Sequence, residues 1–509
     1  MALLLARAGV DCTLLEKNEG ISTHPKAMGI SRRTAEIYRQ VGLYAPLASV
    51  ALPLEGKELA IWSRTLLGEE LGRIPLAGFH SPLTPVSPQH CPQTETERIL
   101  LDAVRNEPRA EVCFGTEVTG VSLLEDGGEL QLAGGEHLAF RWLVAADGAG
   151  SRLRKWMEIG TSGPGDMGHF LNVMFRAPLG ERLSGREALL YNVFWEEGYE
   201  FFVSINGHDL WLMHHFLETG QTATDFPPER ILSLIEKAAG WPGLPLEILG
   251  ISPWVMSPKL ATEFRRGPAF LVGDAAARLS PAGGLGLNTG LQSVHNLAWK
   301  LASVVHGKAG PQLLDTYHQE RNAFSATVLR NTNQNSGEIF ATVGAAMEGR
   351  WEEVRELIQK NRRGGTNLGL DLGVTYEQGA FFPDGTASPQ VSDPLNDYIP
   401  TAQPGRRAPH VPVVVEGKEM STLDLWRGFV LVAAAGGGIW DMATVGEDVN
   451  FLLEGRDFQS EDWAGAYGLD ASGAVLVRPD GIVGARWTVA PADPVGALRE
   501  ALDQILARS

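Results

Sequence analysis

Residues 269–301 read AFLVGDAAARLSPAGGLGLNTGLQSVHNLAWKL. Ala269 to Val272 form a short apolar strand, and Gly273-Asp274 stands at its carboxyl end. A loop with Pro281, Gly283, Gly284 and Gly286 follows; Leu287 and Asn288 then lead into a helix expected from about Thr289-Gly290. Glycines let a main chain approach a flat ring or a phosphate closely, and a helix start offers free N–H donors. An aspartate at a strand tip can hold a sugar-alcohol hydroxyl. A lone Gly-Asp would suit an ordinary capped turn, whereas strand, acid, glycine loop and helix in this order describe a binding loop.

A second strand tip lies upstream in 143–154, LVAADGAGSRLR, where Asp147-Gly148 feeds a helix capped by Ser151 and carrying Arg154. At the amino end, Ala2–Ala8 reads as part of a helix, Gly9 as its stop and 10–15 as a strand that ends at Glu16. That is the back half of a dinucleotide-binding βαβ unit, in which the acid accepts a hydrogen bond from a ribose hydroxyl. The G-x-G-x-x-G turn that cradles a pyrophosphate is absent from the sequence. It is expected, with its strand, upstream of Met1, and without it tight dinucleotide binding is expected to be lost.

The 509 residues are too many for one ordinary core, so two or three domains are expected. An amphipathic helix is expected around 31–41, and another over about 94–106. Residues 168–260 alternate apolar and polar side chains (FLNVMFRA, ALLYNVFW, YEFFVSI, LWLMHHF), as in a half-buried antiparallel sheet. The expected organisation is 1–167 and 261–361 as two parts of a nucleotide-binding domain with 168–260 inserted as an antiparallel sheet. A polar and Pro-rich linker is expected over 362–404, and a small α/β domain over 405–509. The net charge of −18 argues against nucleic acid and anionic lipid, and no apolar run is long enough to span a membrane. Three cysteines, none in a CxxC pair, argue against a disulfide scaffold and a zinc site, and fit a reducing cytoplasm.

The 269–301 segment together with the 143–154 segment resembles the FAD-dependent aromatic hydroxylases of the para-hydroxybenzoate hydroxylase type. The resemblance covers nearly the whole chain. It implies an α/β fold with a Rossmann-like FAD domain lacking its first strand, an inserted antiparallel substrate sheet and a thioredoxin-like C-terminal domain of the phenol and polyketide hydroxylase branch. That last domain has no CxxC, so packing or association is its expected role.

The same resemblance implies that Glu16, Lys26, Arg33, Gln93, Asp147, Arg154, Gly273, Asp274, Pro281, Gly283, Gly284, Gly286, Leu287 and Asn288 surround the cofactor. Lys26 stands in for a commoner arginine. Ala277 and Ser293 depart from a frequent histidine and aspartate, which a site built from main chain should tolerate. Tyr317, Glu320 and Arg321 match a Y-x-x-E-R helix with a structural role.

The implied reaction takes electrons from NAD(P)H into FAD, adds O₂ as a flavin C4a-hydroperoxide and transfers one oxygen to an electron-rich aromatic ring. Baeyer–Villiger insertion, epoxidation and decarboxylative hydroxylation use the same scaffold; a flavin-free remnant acting as a binding protein is the reading from another class. Partners are then a small aromatic substrate and O₂, with a homodimer left open. Some relatives place an acid on the loop before the second helix, where this chain has Met28. Candidates for proton handling therefore move to the middle sheet: Tyr191, Tyr199, His214 and His215, of which only one of the adjacent histidines can face a site. Phe175, Phe194, Trp195, Phe202, Trp211, Trp254 and Met256 are candidate walls for a polycyclic, polyketide- or indole-derived substrate.

Overall fold

In the computed structural model, residues 1–76, 81–195, 198–361 and 367–508 are described. Of the expected linker, 362–366 therefore lie outside the described residues.

The two motif strands pair directly. Leu143–Ala145 runs parallel to Ala269–Leu271, with Val144 opposite Phe270, and Val272 N–H donates to the Ala145 carbonyl at 3.0 Å. Asp147 and Asp274 thus leave neighbouring strands at the same sheet end, where open α/β sheets bind their ligands. Cys12–Leu15 pairs in parallel with Ala110–Cys113. Among the described residues no ladder joins that pair to the Leu143–Ala145 sheet. Helix Gly286–Val305 starts three residues before the position expected from sequence. It packs so closely on the aspartate turn that a Cβ on Gly290 would lie 3.1 Å from the Gly273 Cα.

The middle sheet has seven strands, and two of them, Glu58–Ser63 and Glu70–Pro75, come from far outside 168–260. The parallel pairing of Glu58–Ser63 with Ala188–Trp195 extends the sheet from the first segment of the chain. Its two faces differ. One, with Leu171, Val173, Phe175, Tyr191, Phe202 and Trp211, is sealed by helix Pro228–Ala239. The other turns toward the loop that carries Met28, which packs on Val203 and Leu212.

Residues 367–404 are not a free tether. Asp371, 3% exposed on the short helix Leu368–Leu372, accepts hydrogen bonds from the main-chain N–H of Arg32 (2.8 Å) and Arg33 (3.1 Å). The C-terminal unit has a four-stranded mixed sheet in which Phe429–Ala433 lies parallel to Val449–Leu453 and antiparallel to Ala474–Val477. Helix Pro494–Ile505 closes it. Ahead of that sheet the chain makes a single 3₁₀ turn, Thr422–Leu425. Among the described residues no helix is long and apolar enough to cross a membrane.

Candidate active site

Asp147 is occupied by its own helix: it accepts from Ser151 Oγ and, at 3.0 Å, from Leu153 N–H. Ser151, the N-cap, itself accepts from Arg154 N–H at 3.0 Å, and together the two side chains hold a five-residue helix, Arg152–Trp156, that propensity alone would not sustain. The cap aims Arg154, whose guanidinium donates at 2.8 Å to the Ala275 carbonyl inside the second aspartate turn. The two motifs are therefore bolted together through Arg154. Asp274, by contrast, opens to solvent. Surrounding protein pushes its carboxyl pKa up through desolvation, while the charges of Arg278 and Lys26 pull it down.

Gly273, Gly283 and Gly284 have φ of +59°, +112° and +65°, the left-handed region where a side chain is strained. Cβ atoms placed on Gly29, Gly148, Gly273, Gly284 and Gly286 would meet nothing within 4 Å, so bare main chain lines one open cleft. Asn288 fixes its shape. Its Nδ2 donates to the carbonyls of Gly284 (2.7 Å) and Gly29 (3.0 Å), and its Oδ1 accepts from Ser31 N–H (2.8 Å). Pro281, Gly283 and Gly284 are exposed, and Leu287 half-buried, around it. A main-chain cleft with one accessible carboxylate suits the ring and polyol end of a flavin.

Other expected cofactor residues are placed differently. Arg33 points away, donating to Glu36 (3.0 Å) and to the Asp480 carbonyl (2.6 Å) of the C-terminal unit, which corrects its expected cofactor role. Gln93 donates to Glu97 on its own helix, and Glu97 accepts from Ser22 N–H at 2.8 Å, so this pair steadies the 21–28 loop. Glu16 sits at its strand end, accepting from Asn18 N–H at 2.8 Å.

The adjacent histidines part as the pleat requires. His215 lies on the sealed face, its Nδ1 2.8 Å from the buried Glu200 carboxylate. Tyr191 lies there too, accepting from Ala188 N–H (2.8 Å) and donating to the Arg186 carbonyl (3.0 Å). Both are corrected from site candidates to core residues, as are Phe175, Phe202 and Trp211. Trp195 packs against the same core.

His214 and Tyr199 face the other way. Tyr199 donates to Asn192 Oδ1 at 2.7 Å, and burial raises its pKa, so it stays protonated. Burial lowers His214 to about 4, with the nearby His24 acting in the same direction. Around His214 stand residues that the sequence did not single out: Phe170, stacked on Trp254 at 4.6 Å and 13°, and Phe201 at 5.5 Å from the imidazole. Trp254 meets His214 edge-on at 5.9 Å. Phe170, Phe201, His214 and Trp254 are all half-buried, unlike Phe175, Phe202 and Trp211 on the opposite face, which are fully covered. Strand alternation alone could have found Phe170 and Phe201 once His214 was assigned to a face.

Residues 1–332 match the FAD-binding domain family and 401–509 the aromatic-ring hydroxylase C-terminal family. The chain belongs to the FAD-dependent aromatic-ring hydroxylases. The hydroxylase is 34% identical to tetracenomycin A2 monooxygenase-dioxygenase of Streptomyces glaucescens, covering 100% of this chain and 94% of that protein. It is 31% identical to aklavinone 12-hydroxylase RdmE of Streptomyces purpurascens, covering 100% and 96%. Among solved structures, the flavin-dependent monooxygenase PieE in complex with FAD and substrate superposes with a TM-score of 0.93 at 27% identity. That alignment covers 100% of this chain and 96% of PieE. Aklavinone-11 hydroxylase with FAD and aklavinone gives 0.86 at 29%, with the same coverage. The protein is thus an FAD-dependent monooxygenase of the aromatic hydroxylase fold.

Proposed function

We propose that this monooxygenase hydroxylates a polycyclic aromatic substrate with electrons from NAD(P)H and oxygen from O₂. The observation that carries the reading is the half-buried aromatic wall of Phe170, Phe201 and Trp254, on the sheet face that turns toward the glycine-lined cleft. The names of the relatives, which act on tetracenomycins and aklavinone, support the same substrate class.

Bound FAD supplies the electron transfer and oxygen activation. The chain supplies the rest. Asp274 and the main chain of 283–288 would hold the flavin, with Lys26 balancing the carboxylate's charge, and Glu16 would accept from a ribose hydroxyl. The aromatic wall would stack the substrate and displace water from the cleft. His214 is neutral at pH 7 and acts through hydrogen bonding, since a group with a pKa of about 4 is a poor base for a phenol. Tyr199, held by Asn192, buttresses the sheet behind the wall. The reaction is assigned to the cytoplasm, where NAD(P)H is available and three free cysteines are at home.

The test is turnover under ¹⁸O₂ with NADPH on a hydroxylated anthraquinone and on single-ring phenols. One labelled oxygen in the polycyclic product, with little turnover of phenol, is expected. Efficient oxidation of phenols alone would overturn the substrate class, and label inserted into a ring-expanded lactone would overturn hydroxylation.

A further inference from the structure

Three polar atoms meet on the cleft-facing side of the middle sheet without a partner. Asn172 is 7% exposed and its Oδ1 is sealed from solvent with no hydrogen bond; the same holds for His214 Nδ1 and Trp254 Nε1. They are neighbours by register. Asn172 pairs with His214 across one ladder. Across the other, the preceding same-face residue, Phe170, pairs with Trp254. Direct cross-strand partners share a face, and same-face residues two apart lie within reach of long side chains. Buried polar groups are almost always paired in folded proteins, because leaving one unpaired forfeits its hydration without return. Three at one spot, beside a flat slab formed by stacked Phe170 and Trp254, mark a place prepared for a ligand's polar edge.

The chemistry of the atoms selects that edge. Asn172 Oδ1 only accepts, so it calls for an O–H donor. The Trp254 indole N–H only donates, so it calls for an oxygen acceptor such as a carbonyl. The neutral His214 ring can serve either role from Nδ1 according to its tautomer. A plain aromatic hydrocarbon would leave all three unpaired.

We infer that Asn172 and Trp254 form a donor–acceptor reader for a fused-ring substrate that carries a free phenolic hydroxyl and a keto oxygen on one edge. Asn172 takes the hydroxyl hydrogen, and Trp254, held edge-on by its stacking on Phe170, donates in its ring plane to the carbonyl. This rests on the polycyclic reading above and sharpens it to hydroxylated keto-arenes. It also gives the substrate a fixed orientation in the cleft, so that one ring position is presented for oxygen transfer.

The experiment measures equilibrium binding to the flavin-loaded protein. The probes are 2-hydroxyanthraquinone, 2-methoxyanthraquinone, which lacks the O–H, and 2-hydroxyanthracene, which lacks the carbonyls. Wild type should prefer the first over either of the others by about tenfold, the usual worth of one buried neutral hydrogen bond. Asn172→Leu should abolish the hydroxy-over-methoxy preference and keep the preference for the quinone. Trp254→Phe should do the reverse. Ratios within one variant cancel any general loss of folded protein. Retention of the wild-type ratio in Asn172→Leu, or equal loss of both preferences in each variant, overturns the assignment. A wild type that binds none of the three while oxidising single-ring phenol overturns it together with the polycyclic reading. Binding of 2-hydroxyanthraquinone with unchanged ratios overturns the reader alone.

Discussion

His214 and His215 are the same residue type, side by side, with opposite fates. His215 meets Glu200 in a sealed core, while His214 meets rings that are half open. The alternation of a strand guarantees that they part; which one faces the cleft depends on the elements covering the sheet. Desolvation holds His214 neutral down to about pH 4. The sign is that of a base whose folded pKa is depressed: the neutral form dominates above pH 4 and protonation begins only below it. His214→Gln is therefore expected to leave the shape of the kcat/KM pH profile unchanged between pH 5.5 and 8.5, while raising KM severalfold. Loss of an acidic limb in that range would make His214 a general base after all.

At the scale of elements, the site depends on one helix lying unusually close to one turn. Gly290 permits helix Gly286–Val305 to touch the Gly273-Asp274 turn, and Asn288 then ties that helix to the strand segment Gly29-Ile30. A methyl group at position 290 must push against main chain, which cannot rotate aside as a side chain would. Gly290→Ala is expected to cost about 1–3 kcal/mol in a urea melt, the range for overpacking a filled contact. The displaced turn should also weaken flavin binding, read as a higher Kd for added FAD. Wild-type stability with unchanged FAD affinity would show that the helix can shift freely. Ser151 and Asp147 act at this scale too, because their cap is what aims Arg154 at Ala275.

Across the whole molecule, the C-terminal unit is joined to the flavin domain by charges withdrawn from water. Arg478 donates to both oxygens of Glu320 (2.8 and 3.0 Å), Lys300 donates to Glu320 at 2.8 Å, and Arg407 binds Glu36 of the second helix. All five side chains are nearly or fully buried. Such clusters add little when complete, but removing one partner strands the others. Glu320→Ala is expected to destabilise the fold by about 3–5 kcal/mol, read from urea denaturation at pH 7. Arg478 and Lys300 hold the Glu320 carboxyl well below the usual range. Its contribution is therefore fully present above pH ~4.5 and is lost as pH falls further toward the folded value. The variant should lack that part of the acid-induced loss. A shift under 1 kcal/mol would mean that water or rearrangement pairs the stranded cations.

Much of this was readable from local strings. Strand tip, acid and glycine loop at 269–288, and the capped Asp147 turn, announce themselves because main-chain binding sites depend on residue types at short fixed spacing, where glycine and aspartate have few substitutes. Helix Arg32–Gln40 and the alternating middle strands were legible for the same reason, since their period is local. Long-range pairing was not. Nothing in Arg33 itself says that its guanidinium turns to Asp480, 447 positions away, instead of to a cofactor. The two strands at 58–75 that complete the middle sheet, the face on which His214 lies, and the meeting of Asn172 with Trp254 are also matters of which surfaces come together. Those choices are settled by packing between segments far apart in the chain, and a one-dimensional pattern carries no record of which partner a buried face will find.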